Sequence, residues 1–340
     1  MKIIYENTAT RVFMGEAWEL LNELIEDQDV IIITDTNVDK LYGSYFPDCP
    51  VIRIGTGEAV KEAETVLTII KHLLVAGADR SSFLLGIGGG VVCDITGFVA
   101  SVYMRGVPFG FVSSSLLSQV DASIGGKNGV NLNGIKNIIG CFKQPSFVIC
   151  DTSLLRTLPE EEFISGLGEI VKHALIKDHE MFAVIEENIS KLLGREKELL
   201  EKLVAGSIEI KASVVEKDER EMGERRMLNF GHTLGHAIEA HTGMSHGISV
   251  AAGMMAAVEI SRDEGLLSRE ETERIREVMD KLGLLPALEL KWSEIVEKIF
   301  ADKKKKGKHI SYILLEAIGK ARQKEYPLDD IIYKLSKNIP

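Results

Sequence analysis

His232 and His236 lie four residues apart and share one face of any helix that carries them, and His246 follows in Ser245-His246-Gly247. Imidazoles at that spacing suit a divalent cation. A carboxylate from elsewhere would complete three protein ligands and leave a coordination position open to substrate, the catalytic rather than the structural arrangement. Glu169, in Gly168-Glu169-Ile170-Val171-Lys172-His173, is the best-placed acid because it falls on an otherwise apolar helix face. Spacing leaves open which two of the three histidines would bind. His72, His179, His241 and His309 have ordinary settings and read as structural.

A second chemistry is written in Gly86-Ile87-Gly88-Gly89-Gly90-Val91, which joins an apolar run to a helical pattern. Glycines let the backbone approach a ligand, and a helix start offers unpaired N–H groups to phosphate oxygens, so a pyrophosphate is the natural guest. The spacing is not GxGxxG and follows the third strand rather than the first, so a plain tight turn fits equally well. Asp35, just after the first strand, is placed to hold a ribose hydroxyl. Residues 113–127 then gather Ser114, Ser115, Asp121 and Lys127, with Lys136 and Asn137 close behind. Small hydroxyls, an acid and lysines among glycines suit hydroxyl recognition and phosphate neutralisation.

The elements that must position these groups fall into two textures. Residues 30–34, 51–54, 83–85, 109–113 and 147–150 are short apolar runs that predict buried strands, with an amphipathic helix over 58–76 ended by Gly77. Strand alternating with helix predicts an α/β, Rossmann-like parallel sheet for residues 1–150. Residues 151–340 predict a mainly helical domain, with helices over 160–177, 179–193, 197–216, 228–241, 246–264 and 269–282. The one clear late strand pattern is 310–315.

Bulk properties narrow the function. The 340 residues exceed one ordinary core, and 45% hydrophobic with 27% charged residues is a globular composition. A formal net charge of -11 excludes a broad cationic face and so a nucleic-acid partner. The apolar stretch 247–258 is too short to span a membrane and predicts a buried helix. Residues 1–15 carry no secretory pattern, and the four cysteines lack CxxC spacing, so a cytoplasmic protein with reduced thiols is expected.

Several blocks together resemble the 3-dehydroquinate synthase family: Gly88-Gly89-Gly90-Val91-Val92 with Asp94, Tyr103-Met104-Arg105-Gly106, Gln119-Val120-Asp121, Gly125-Gly126-Lys127, Lys136-Asn137, Gly168-Glu169, Lys172-His173, Asn229-Phe230-Gly231-His232, Gly235-His236, His246-Gly247 and Asp302-Lys303-Lys304. The likeness runs from about residue 55 to 319. It implies a Rossmann-like domain, a helical domain, an active site in the cleft between them, NAD, a divalent metal (zinc or cobalt) and a homodimer. The implied metal ligands are Glu169, His232 and His246, which makes His236 a substrate or acid/base group. Implied NAD contacts are Glu58, Lys61, Gly89, Gly90, Val91, Asp94, Ser114, Ser115, Asp121, Lys127, Lys136 and Thr157, beside the Asp35 read above. Implied substrate contacts are Arg105 (serving a neighbouring subunit), Lys127, Asn137, Lys172, Lys211, Arg225, Asn229, His236 and one lysine of the Lys303-Lys304 pair, taken as Lys304.

The implied substrate is 3-deoxy-D-arabino-heptulosonate 7-phosphate. It would pass through alcohol oxidation, phosphate elimination, ketone reduction, ring opening and aldol closure to 3-dehydroquinate, a step of the shikimate route to aromatic amino acids. Three positions depart from the family pattern: Cys93 stands at a usual glycine, Ser113-Ser114-Ser115 replaces Pro-Thr-Thr, and Ile248 replaces the glutamate that commonly follows His-Gly. Other readings are a different sugar phosphate cyclase, a metal-dependent polyol dehydrogenase similar to glycerol dehydrogenase, and a non-catalytic NAD-binding protein. Lys211 and Arg225 weigh against the first two, because a substrate without a carboxylate leaves those cations unmatched.

Overall fold

The computed structural model describes residues 2–285, 292–303 and 309–338. Its contacts divide the chain into two compact units, Met1–Leu158 and Pro159–Pro340.

The first unit holds strands β1 (Lys2–Glu6), β2 (Arg11–Met14), β3 (Val30–Asp35), β4 (Val51–Ile54), β5 (Phe83–Gly88), β6 (Phe109–Ser113), β7 (Lys127–Leu132), β8 (Ile135–Phe142) and β9 (Phe147–Cys150). Its helices are α1 (Ala17–Ile25), α2 (Thr36–Tyr42), α3 (Ala63–Val75) and α4 (Gly90–Val102). Seven strands form one sheet in the order β1-β2-β9-β6-β5-β3-β4. All neighbours run parallel except β1, which pairs antiparallel with β2. The five expected strands are all present, and they are legible for a physical reason. A parallel strand covered on both faces needs an unbroken apolar run, and β3 buries every residue from Val30 to Thr34. The chain steps from β3 out to β4 and returns across β3 to β5. That reversal puts a switch point at the carboxyl ends of β3 and β5, the position where open α/β sheets bind ligands.

Three features of this unit differ from the sequence reading. The expected helix over 58–76 is a 3-10 turn, Glu58–Val60, followed by α3, which starts only at Ala63. The region read as loop contains a π-helical turn, Ser118–Ala122, and then the antiparallel hairpin β7–β8. The hairpin was invisible because most of β8 is exposed and its apolar residues do not alternate. The 3-10 segment Thr152–Thr157 lies in this unit, where Tyr42 Oη donates to Leu154 O at 3.2 Å.

The second unit contains α5 (Glu160–Lys177), α6 (His179–Glu187), α7 (Ile189–Leu193), α8 (Lys197–Lys217), α9 (His232–Thr242), α10 (His246–Asp263), α11 (Arg269–Lys281), α12 (Trp292–Lys303) and α13 (Leu328–Lys337), with an antiparallel hairpin of β10 (His309–Ala317) and β11 (Lys320–Pro327). At its centre is α10, in which every residue from Gly247 to Ser261 is buried. A helix apolar on all sides must be enclosed, and α5, α9, α11, α13 and β10 enclose it. Gly247 sets how close α5 comes, since a Cβ there would lie 1.8 Å from the Ser165 carbonyl oxygen. Instead the Gly247 N–H donates to Ser165 Oγ at 2.9 Å.

The expected helix over 179–193 is broken at Asn188 into α6 and α7. The expected helix over 228–241 starts later. Residues Glu224–Asn229 are 3-10, and α9 begins at His232 after Gly231, which takes the left-handed conformation at φ 80°. A side chain on Gly231 would also meet Val250 O at 2.6 Å. Helix α13 and strand β11 carried no legible signal, and half of the residues in β11 are charged. Among the described residues no helix is long and apolar enough to cross a membrane.

Candidate active site

Three helices of the second unit bring Glu169, His232 and His246 together. Glu169 lies in the middle of α5 and is fully buried, while His232 and His246 open α9 and α10. Glu169 Oε1 lies 3.5 Å from His246 Nε2 and 3.9 Å from His232 Nε2. Ligands bonded to zinc at 2.0–2.1 Å in a tetrahedral set are about 3.3 Å apart, close to the His246 contact, and all three ligand atoms lie within 4.8 Å of one another. Two further observations fit a metal. Both Glu169 oxygens are buried, with Lys172 on Oε2 and the two imidazoles facing Oε1. In addition, the far nitrogen of each imidazole is occupied: His232 Nδ1 lies 3.1 Å from Phe230 O, and His246 Nδ1 lies 3.2 Å from Glu239 Oε2. Held that way, both rings turn Nε2 toward Glu169.

The electrostatics agree. Burial by itself pushes the Glu169 carboxyl up, but the Lys172 ammonium, and then the imidazoles of His246 and His232, hold it well below the ordinary carboxylate range. Lys172 pairs with Glu169 Oε2 across one helical turn, with both side chains buried. Burial and then the Lys172 charge hold His232 well below its ordinary value, so it is neutral and able to donate a lone pair. For His246, burial is outweighed by hydrogen bonds to Glu169 and Glu239, which raise it to about 9. Without a cation, His246 carries the positive charge the carboxylates require. His236 sits beside these rings, 5.1 Å from His232 and 5.9 Å from His246 between centroids.

The other expected substrate residues of this unit are also largely buried. Lys211 on α8 is 6% exposed, and Arg225, in the 3-10 segment that packs on α8 and α5, is 2% exposed. Arg225 Nη1 donates to Glu219 O at 2.5 Å. Asn229 closes that segment and donates to Glu221 Oε1. Lys304 lies outside the described residues.

In the first unit the carboxyl ends of the central strands gather most of the expected nucleotide contacts. Gly89 caps α4 without a side-chain hydrogen bond, so the amides of Gly90 and Val91 open the helix. Ser114 and Ser115 follow β6, and Ser114 N donates to Gly88 O at 2.9 Å. Lys61, nearly buried, pairs with Asp94 Oδ2 at 2.5 Å. Glu58 Oε1 accepts from Asn131 Nδ2 at 2.8 Å, and Asn131 Oδ1 accepts from the Asn137 N–H at 2.9 Å. Asp121 lies in the π-helical turn, Lys127 opens β7, and Lys136 and Asn137 stand on β8, Asn137 at φ 53°. Thr157 Oγ1 is 2.6 Å from Tyr42 Oη. Asp35 uses its carboxylate to cap α2, accepting from Asn37 N and Val38 N. Arg105 follows Met104, and both have positive φ. The Cys93 side chain turns into the core, with Sγ 4.0 Å from Gly88 O, which is how the turn accommodates it.

Two residues escaped the sequence reading. Asn131 joins the segments of Glu58 and Asn137. Glu239 was findable, since it continues the stripe of His232 and His236 at i+7 and i+3.

A nucleotide-type sheet unit followed by a helical unit is the fold of solved sugar phosphate cyclases. A solved 2-deoxy-scyllo-inosose synthase, complexed with carbaglucose-6-phosphate, NAD+ and Co2+, is 26% identical with a TM-score of 0.86 and 97% of each chain covered. The fold is likewise that of 2-epi-5-epi-valiolone synthase from Streptomyces hygroscopicus subsp. jinggangensis 5008, at 24% identity, TM-score 0.88 and 98% coverage of both chains. Within that class, family models for the 3-dehydroquinate synthase N-terminal and C-terminal regions match residues 51–165 and 166–305. The 3-dehydroquinate synthase of Alkaliphilus metalliredigens is 41% identical over 304 residues, covering 86% of this chain and 85% of that one. The chain belongs to the 3-dehydroquinate synthase family.

Proposed function

We propose that the chain converts 3-deoxy-D-arabino-heptulosonate 7-phosphate to 3-dehydroquinate and phosphate, using NAD and a divalent cation, zinc or cobalt. The observation that carries this reading is the convergence of Glu169, His232 and His246 in a chain matched by the family models along 51–305. When bound, NAD supplies a reversible two-electron acceptor and the cation supplies Lewis acidity toward a substrate alcohol.

The protein's own residues hold and orient. Glu169, His232 and His246 would hold the cation, with Lys172 fixing the Glu169 carboxylate and keeping a proton next to it. His236, exposed at the rim of the cluster, is the group able to take and return a proton there. Lys211 and Arg225 would hold the substrate carboxylate, the planar guanidinium bidentately. Lys127 and Asn137 would hold the phosphate. The turn at Gly89, Gly90 and Val91 would hold the NAD pyrophosphate, with Asp94, Lys61, Glu58, Ser114, Ser115, Asp121, Lys136 and Thr157 around the rest of the nucleotide.

We further propose a cytoplasmic homodimer. Ile135, Ile138 and Phe142 on β8, with Val102 and Met104 at the end of α4, leave apolar surface exposed, which a second copy would cover. Arg105, next to Met104, would then serve the neighbouring subunit.

The decisive assay supplies the heptulosonate phosphate, NAD and zinc while phosphate and reduced nicotinamide are followed. Stoichiometric phosphate and 3-dehydroquinate with no lasting nicotinamide absorbance is the expected result. Accumulating NADH with a small polyol would make the chain a dehydrogenase instead.

A further inference from the structure

We infer that Glu239 is the positioning residue of His246: its carboxylate holds the imidazole by Nδ1 so that Nε2 faces Glu169. This inference rests on the reading of Glu169, His232 and His246 as metal ligands. It addresses what steadies His246 where the chain has Ile248 in place of a glutamate.

The two histidines are anchored differently. His232 Nδ1 lies 3.1 Å from Phe230 O, a backbone acceptor that no substitution removes. His246 opens α10 behind Ser245, whose side chain makes no cap hydrogen bond, and its Nδ1 faces a side chain, Glu239 Oε2, at 3.2 Å. Ile248 is buried and apolar, so it offers no acceptor. The two Glu239 and Glu169 carboxylates address opposite nitrogens of one ring, at 3.2 and 3.5 Å. A carboxylate on Nδ1 fixes the Nδ1–H tautomer, orients the ring and makes Nε2 more basic. Glu239 reaches this place because α9 carries it one turn beyond His236, and α9 packs directly on α10.

Glu239 also forms a tight group with His236 and His246, so a direct ligand role is the competing account. The two accounts separate on cobalt spectroscopy. As a positioning residue, Glu239→Gln keeps a weak acceptor and Glu239→Ala removes it. Zinc affinity should therefore fall in that order, by about 10- to 100-fold for the alanine variant. The visible spectrum of bound Co2+ should keep the wild-type band positions in both, because the ligand set is unchanged. The nitrogen-15 shifts of His246 in the zinc-loaded alanine variant should show Nδ1 losing its hydrogen bond while those of His232 stay in place. Unchanged zinc affinity in Glu239→Ala would overturn the inference. A changed cobalt spectrum, with affinity lost as completely as in Glu169→Gln, would overturn it in favour of ligation. Failure of the wild-type chain to bind zinc or cobalt would instead sink the metal-centre reading beneath it. Glu239→Asp, which keeps the charge but withdraws it by one methylene, gives a second measurement should the alanine variant fold poorly.

Discussion

At the glycine turn of the first unit, the groups offered to a ligand are backbone amides at the start of α4, and the segment that makes them is contiguous. In the second unit, the offered groups are side chains carried by three helices whose first residues are up to 86 positions apart, from Glu160 in α5 to His246 in α10. The contrast explains where each region tolerates change. The turn accepts Cys93 because the thiol points into the core. The Glu169 cluster has no such freedom, since its geometry depends on how closely α5 and α9 approach α10.

The largest expected effect tests that dependence. Gly247→Ala places a methyl within 1.8 Å of Ser165 O, so α10 must withdraw from α5. We expect a loss of about 3 kcal/mol in urea unfolding, as for severe overpacking, and loss of zinc binding with it. Retained zinc affinity would mean that the cluster does not depend on this contact. Next, His232→Ala should lose zinc by more than the ~100-fold typical of an outer hydrogen bond. His236→Ala should retain zinc in equilibrium dialysis yet turn over slowly. The reverse pattern would reassign the ligand. Arg225→Ala should lower kcat/KM by about 2–5 kcal/mol if it pairs with a desolvated carboxylate, and unaltered kinetics would remove it from the site. At the turn, Cys93→Ala should cost about 1 kcal/mol of stability and leave NAD affinity within about twofold in a fluorescence titration. A large loss of NAD affinity would show that the turn also depends on its side chains, and the contrast would fail.

The smallest effect concerns acid. In the second unit, burial tends to raise the Glu264 carboxyl, but hydrogen bonds from Lys324, Tyr326 and Lys334 hold it below its ordinary value. Glu169 is held low as well. A depressed folded pKa contributes stability that is present above the unfolded value of about 4.3 and lost as pH falls through the folded one. Hydrogen exchange at about pH 5 and about pH 3.5 should therefore show helices α10 and α13 losing protection before the central strands of the first unit. Equal loss in both units would count against this assignment.

The parallel strands and the long helices were legible because an enclosed strand must be an unbroken apolar run and a packed helix must repeat its apolar face. The residues that converge were legible by type too, since imidazoles and a carboxylate stand out on apolar stretches. The hairpin β7–β8 and strand β11 were not, because half-exposed antiparallel strands are stabilised by pairing partners that leave little local pattern. Sequence spacing favoured His232 with His236 as readily as with His246. Ring orientation is set by contacts that lie outside local spacing, His232 Nδ1 against Phe230 O and His246 Nδ1 against Glu239.

The sequence by itself determined that a sheet with a glycine turn precedes a helical unit rich in histidine, and which carboxylate, imidazoles and cations were candidates for its chemistry. Only the tertiary structure decided that α9 starts after Gly231, that Asp35 is a helix cap, and which imidazole nitrogens face Glu169. The physical reason is range. Propensity and periodicity act over a few residues and are written locally, whereas a convergent centre exists only once separate helices have packed.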